Sequence, residues 1–142
     1  MPVVLDTNHL SVLQWQDQPA CDHLLARLDQ LAPDDIATTI VSFQEQVQGW
    51  SAFLNRARKP AQVVLAYAKL EAVWRSFLKM NVLSFDDAAQ VRFAVLRRQC
   101  PRLQTLDLRI ASIALATNAV LLSRNLRDFR QVPGLTVEDW TR

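Results

Sequence analysis

Glycine is almost missing: the 142 residues include two glycines and six prolines. That leaves no room for a flexible linker or a low-complexity tract, and no internal repeat is visible. Long apolar runs are missing as well. The longest, Ile110 to Ala116, is interrupted by Ser112 and falls far short of the ~20 residues that span a bilayer, so no membrane partner is expected. No basic segment followed by an apolar one precedes the first strand, so no secretory signal is expected. The two cysteines, Cys21 and Cys100, stand in no metal or redox spacing. They read as packing residues of a cytoplasmic protein. His9 and His23 are the only histidines, too few and too scattered for a histidine metal site.

What is present fits one soluble domain over residues 1–142. Half the residues are hydrophobic and 21% are charged, enough to build a real core. The net charge of +2 is unevenly spread. Residues 1–90 carry 7 basic and 10 acidic side chains, residues 91–142 carry 9 and 4, and every basic residue of the second part is arginine. Arginine suits bidentate phosphate contacts, so an anionic polymer is one reading and an ordinary solvated surface the other.

Along the chain, Val3-Val4-Leu5 reads as a buried strand of a parallel sheet, breaking into the turn-prone Asp6-Thr7-Asn8. His9 to Gln14 predicts a short helical turn. Cys21, Leu24, Leu25, Leu28 and Leu31 follow Pro19 at helical spacing. Ile36 to Val41 reads as a second strand. Ser42 and Glu45 match a capping box, opening a helix with Phe43, Val47, Trp50 and Leu54 on one stripe. After Pro60, the residues Val63, Tyr67, Leu70, Trp74 and Phe77 predict a second amphipathic helix. The pair forms a helical hairpin over about 43–79, inserted between strands. Val82 to Phe85 reads as a third strand, Asp86 as the cap of a helix carrying Ala89, Phe93 and Leu96, and Asp107 as the start of the helix Leu108 to Thr117. Ala119 to Ser123 reads as a fourth strand, Pro133-Gly134 as a turn, and Leu135 to Val137 as an edge strand. Alternating strands and helices predict an α/β fold with a small, mostly parallel sheet covered on both faces.

Four acids fall near strand ends or helix starts: Asp6, Glu45, Asp107 and Asp128. In a parallel sheet with right-handed crossovers, strand ends and the helix starts that follow them share one edge. Asp107 joins the other three only if the loop Arg97 to Leu106 carries it across. Four like charges gathered together need a cation, and an all-oxygen set suits Mg²⁺ or Mn²⁺, which bridge to phosphate oxygens. A phosphodiester is the natural substrate. Singly, each acid also has an ordinary reading: a turn cap for Asp6, a capping box for Glu45, a helix-dipole partner for Asp107, a surface charge for Asp128.

The segments VVLDTN, SFQEQVQG, LDLRIASIAL, LLSRNLRDF and VPGLTVEDW, ordered from residue 3 to residue 140, resemble the motifs of PIN-domain nucleases. Within that family they are most similar to VapC-type toxins of toxin–antitoxin modules. The resemblance implies a PIN-like α/β/α sandwich and a metal-dependent endoribonuclease. As catalytic and metal-binding residues it points to Asp6, Glu45, Asp107 and Asp128, with Mg²⁺ (or Mn²⁺) as cofactor. It implies that Thr7, Asn8, Ser123 and Asn125 hold the acids by hydrogen bonds. A homodimer and a cognate antitoxin protein are implied too, with Trp50, Phe53 and Trp74 either clamping the antitoxin or filling a core or dimer interface. Where the family often has a glycine and aromatics before the third acid, this chain has Leu103-Gln104-Thr105-Leu106. Charge position makes Arg97, Arg98, Arg124 and Arg127 candidates for gripping an RNA backbone. The rival reading is a non-catalytic RNA-binding or regulatory module on the same fold.

Overall fold

The computed structural model describes residues 2–142. Five short strands run β1 Val3–Leu5, β2 Ile36–Thr39, β3 Asn81–Leu83, β4 Val120–Leu122 and β5 Val137–Glu138. They form one sheet in the order β3-β2-β1-β4-β5, and every neighbouring pair is parallel. The helices are α1 Thr7–Trp15, α2 Ala20–Leu28, α3 Ile40–Arg56, α4 Pro60–Leu78, α5 Asp87–Gln99, α6 Thr105–Ala116 and the single turn α7 Leu126–Phe129.

The period-two alternation of a strand sorts the core into layers. Val4 and Leu121 pack with Leu96, Leu108, Ile110, Ala111 and Ala114 of α5 and α6. Val3, Leu5, Val120 and Leu122 point the other way, onto Val12, Cys21, Leu24 and Leu28 of α1 and α2. A third cluster joins Leu10, Val73 and Phe77 to Phe43, Val47 and Trp50. The α/β/α sandwich, the parallel sheet and the hairpin of α3 and α4 between β2 and β3 therefore match the sequence expectation. Asp86 caps α5 as expected, its Oδ1 accepting from the Ala89 N–H at 3.0 Å. Gly134 takes the left-handed turn before β5 with φ +78°, a conformation that favours glycine. Both cysteines are buried.

Three local expectations are corrected. First, β2 ends at Thr39, two residues before Val41, and Ser42 is not the cap of α3. Thr39 is extended (φ −125°, ψ 157°), and its Oγ1 accepts the Ser42 N–H at 3.1 Å. Pairing of Thr39 with Leu83 of β3 holds Thr39 in the sheet, so the helix can start only after it. The Ser42–Glu45 capping box is therefore not formed. Second, the inward stripe of α4 is Ala66, Val73 and Phe77, while Tyr67 and Trp74 are more than half exposed. Third, α6 begins at Thr105 rather than at Asp107. Smaller shifts put β3 at 81–83 and β5 at 137–138.

The corrected cap yields a first prediction. Thr39→Ala should lower unfolding free energy by about 1–2 kcal/mol, as loss of a buried N-cap does. Urea melts of the two proteins would measure it, and an unchanged midpoint would return the cap to Ser42.

Candidate active site

The carboxyl end of β1 delivers Asp6 to the sheet edge. Its N–H donates to the Leu122 carbonyl at the end of β4 at 2.9 Å, so two central strands fix its backbone. Its side chain is almost entirely buried, yet well supplied with donors. Oδ1 accepts the Thr7 N–H at 2.8 Å. Oδ2 accepts the Ser123 hydroxyl at 2.7 Å and an Asn8 Nδ2–H at 3.3 Å. Burial nonetheless wins over these bonds and pushes the carboxyl above its ordinary range, because desolvation penalises the charged form.

Release from the capping box leaves Glu45 free to face α1, where its Oε1 accepts the Thr7 hydroxyl at 2.9 Å. Burial raises its pKa; the Thr7 bond lowers it, and the charges of Asp6 and Asp107 raise it again. Asp107, in the first turn of α6, is raised to about 6 by burial, by Asp6 and by Asp128. Asp128, in α7, accepts from Asn125 Nδ2 at 3.1 Å. The four acids thus act on one another through space. Asp107, the doubtful member from topology, sits within the field of Asp6 and Asp128.

Thr7, Asn8, Ser123 and Asn125 each touch an acid or one another. Ser123 Oγ donates to Asp6 and accepts from Asn8 Nδ2 at 3.2 Å and from the Asn125 N–H at 3.0 Å. Of the arginines, Arg97 is half-buried, with its guanidinium turned onto the α5–α6 loop. Nη2 donates to the carbonyls of Cys100 and Leu103 at 2.9 and 2.7 Å, and Nη1 to the Thr105 hydroxyl at 3.3 Å. Arg98 and Arg127 are exposed. Arg124 is exposed too and donates through Nε to the Thr141 hydroxyl.

Among the described residues, no three acidic, histidine or cysteine side chains close into a tight cage. Mg²⁺ does not require one, since it keeps several waters and takes one or two carboxylates plus substrate phosphates. The donor set is all oxygen, and burial, with the neighbouring acids adding to it, keeps protons on Glu45 and Asp107 in the metal-free site, as a site suited to a hard divalent cation would. The residues fit the ion. Beside them lies an open, mostly apolar groove of about 510 Å³ between α3 and α6, lined by Ile40, Phe43, Val47, Phe85 and Arg109 but by none of the acids.

Sequence reasoning passed over His9. It is fully buried in α1, and its Nε2 accepts the Trp140 N–H at 3.0 Å. A partner 131 residues away leaves no local signal, and a lone histidine beside a strand end carries none of its own.

A parallel α/β/α sandwich with four mutually interacting carboxylates at one sheet edge defines the class. The PIN domain family model matches residues 3–135, and the chain belongs to that family. Among its relatives, Ribonuclease VapC1 of Haemophilus influenzae is 25% identical over 143 residues, covering all of both chains. The tRNA(fMet)-specific endonuclease VapC of Salmonella typhimurium is 32% identical over 85 residues, 56% of this chain and 64% of that protein. The fold is shared with VapBC-1 of nontypeable Haemophilus influenzae, with a TM-score of 0.77 at 24% identity and full coverage of both chains. It is shared as well with VapBC2 of Rickettsia felis bound to a promoter DNA fragment, with a TM-score of 0.74 at 24% identity over 99% of each chain.

Proposed function

We propose that this protein is a Mg²⁺-dependent endoribonuclease toxin, hydrolysing RNA phosphodiester bonds and restrained by a cognate antitoxin protein. The observation that carries the reading is the set of Asp6, Glu45, Asp107 and Asp128 gathered at one edge of a PIN fold, where burial first and neighbouring acids second raise the proton affinities of Glu45 and Asp107. Full-length similarity to a ribonuclease VapC1 supports RNA as the substrate class.

Asp6, Glu45, Asp107 and Asp128 would hold the ion. When bound, Mg²⁺ supplies Lewis-acid polarisation of a phosphoryl oxygen and offsets the charge that develops there. The chain's own groups do the rest. Ser123, Asn8 and the Thr7 N–H fix both oxygens of Asp6, the Thr7 hydroxyl aims Glu45, and Asn125 aims Asp128. Asp107, raised to about 6 in the metal-free protein by burial, Asp6 and Asp128, would give up its proton on taking the ion. Arg98, Arg124 and Arg127 can meet the RNA backbone, and Arg97 shapes the loop behind them.

Partners follow the same reading. The apolar groove and the exposed Ile40 suit an antitoxin segment, and exposed Val91 and Val95 on α5 suit a homodimer contact. Trp50 packs within the protein against Trp15 and Phe53, which leaves Trp74, together with Tyr67 of the same helix, as the exposed aromatics open to a partner. No helix of the described residues is long and apolar enough to cross a membrane.

The test uses partner-free protein on structured RNA with Mg²⁺ or EDTA, beside Asp6→Ala. Cleavage should need the metal and fall on the order of 10³-fold in the variant, the loss of several kcal/mol of charge stabilisation. RNA bound but uncut under Mg²⁺ and Mn²⁺ would replace this reading with a binding module.

A further inference from the structure

The Asn8 side chain uses all of its hydrogen-bonding capacity. Its Nδ2 donates to Asp6 Oδ2 and to Ser123 Oγ, while its Oδ1 accepts the Arg124 N–H at 3.1 Å and lies 3.0 Å from His9 Nδ1. A flipped amide would put its NH₂ against a donor and its oxygen against a carboxylate, so the orientation is set by its partners. His9 decides one of them. Because Nε2 accepts the Trp140 N–H at 3.0 Å, it carries a lone pair, and the proton of the neutral ring sits on Nδ1, aimed at Asn8. The ring stays neutral because burial holds its pKa down at about 4, with Asp139 pulling it up and Arg124 pushing it down. Asp139 Oδ1 stands 3.5 Å from Nε2. It also accepts from the Thr141 N–H at 2.9 Å, which ties the last residues into the same knot.

We propose that His9 is a positioning residue for the acid site: the Trp140 backbone selects its Nδ1–H tautomer, and that proton fixes the Asn8 amide that holds Asp6. The C-terminal segment 139–142 thereby sets a carboxylate it never touches. The inference rests on the nuclease reading for its functional consequence, though not for its geometry.

Two substitutions separate the two halves of the ring. In His9→Asn the amide nitrogen takes the place of Nδ1 and keeps the bond to Asn8. In His9→Gln the terminal group takes the place of Nε2 and keeps the bond to Trp140. Expected is His9→Asn within about threefold of wild type in kcat, and His9→Gln lowered about 10–30-fold with KM unchanged, the usual scale for a group that supports a metal ligand. Added to Asn8→Ala, His9→Gln should cost nothing more. Mn²⁺ titration should show the same order of affinities, and ring ¹⁵N shifts of the wild type should report Nδ1–H. An Nε2–H tautomer would overturn the proposal whatever the variants do, and so would equal losses in both variants that track their melting temperatures. If the wild type cut no RNA, the nuclease reading would fall while Mn²⁺ affinity still scored the relay. A wild type that bound no Mn²⁺ would sink both.

Discussion

In EDTA at pH 7, Asp107→Asn is expected to melt about 3–6 °C above the wild type and, with Mg²⁺ restored, to cut RNA on the order of 10²–10³-fold more slowly. Both effects come from one cause. The folded pKa of Asp107 is raised to about 6 from 3.8, so in the metal-free protein the fold pays to ionise it. Below pH 4 the carboxyl is protonated in folded and unfolded chains alike, and no penalty exists. Between about pH 4 and 6 the unfolded chain gives up the proton first, so the unfolded state binds fewer protons and stability falls as pH rises. Above 6 the penalty is complete. Two units would correspond to about 3 kcal/mol, but the side chain is only partly buried, and solvent screening brings the expected value to roughly 1–2 kcal/mol. Asp6 and Glu45 are raised in the same direction and deepen the loss. Mg²⁺ or Mn²⁺ should raise the melting temperature of the wild type more at pH 7 than at pH 5, and that of Asp107→Asn much less at either. Thermal melts across pH with and without metal measure this. A melting temperature that rises from pH 4 to 7 in EDTA, once other groups are accounted for by the variant, would mean that the acids are not held against their charges. Such a site trades stability for function.

Arg97→Ala should lose about 1.5–3 kcal/mol and at least tenfold in cleavage, with the salt dependence of RNA binding untouched. Its guanidinium bonds the Cys100 and Leu103 carbonyls and the Thr105 hydroxyl, and bonds from a charged donor are the stronger ones. Thr105 is the first residue of α6 and Asp107 the third. Untying the loop therefore frees the start of the helix that carries the acid. Arg97→Lys should not rescue, because a point charge cannot replace a planar fork serving three acceptors. By contrast, Arg98→Ala and Arg127→Ala should leave stability alone and flatten the salt slope by roughly 0.7–0.9 each. A flattened slope at unchanged stability for Arg97→Ala would move that residue to the phosphate contacts that its charge alone indicated.

The helix α4 shows how far local pattern reaches. Its segment Val63 to Phe77 is apolar on several sides, so a 3.6-residue period fits more than one stripe, and Phe77 belongs to both. Packing against Phe43, Val47 and Leu10 chose the stripe through Ala66 and Val73, because a small residue lets two helices approach where Tyr67 would hold them apart. The capping error has the same form. Thr39 and Ser42 are both good caps, and sheet pairing with β3, which no local window contains, decided between them.

What the sequence determined by itself is local and periodic. The apolar runs Val3–Leu5 and Ala119–Ser123 read as buried strands, Asp86 as a helix cap, and an acid directly after a buried strand as a group at the sheet edge. The tertiary structure alone decided which acids meet, which arginine ties a loop, and that His9 reads the backbone of Trp140. The meeting of the acids and the His9 bond depend on strand order and on partners tens to more than a hundred residues apart, whereas Arg97 reaches carbonyls only three and six residues on, because the α5–α6 loop folds back over it. Hydrogen bonds reach about 3 Å through space, and only the folded chain fixes which distant residues come within that reach.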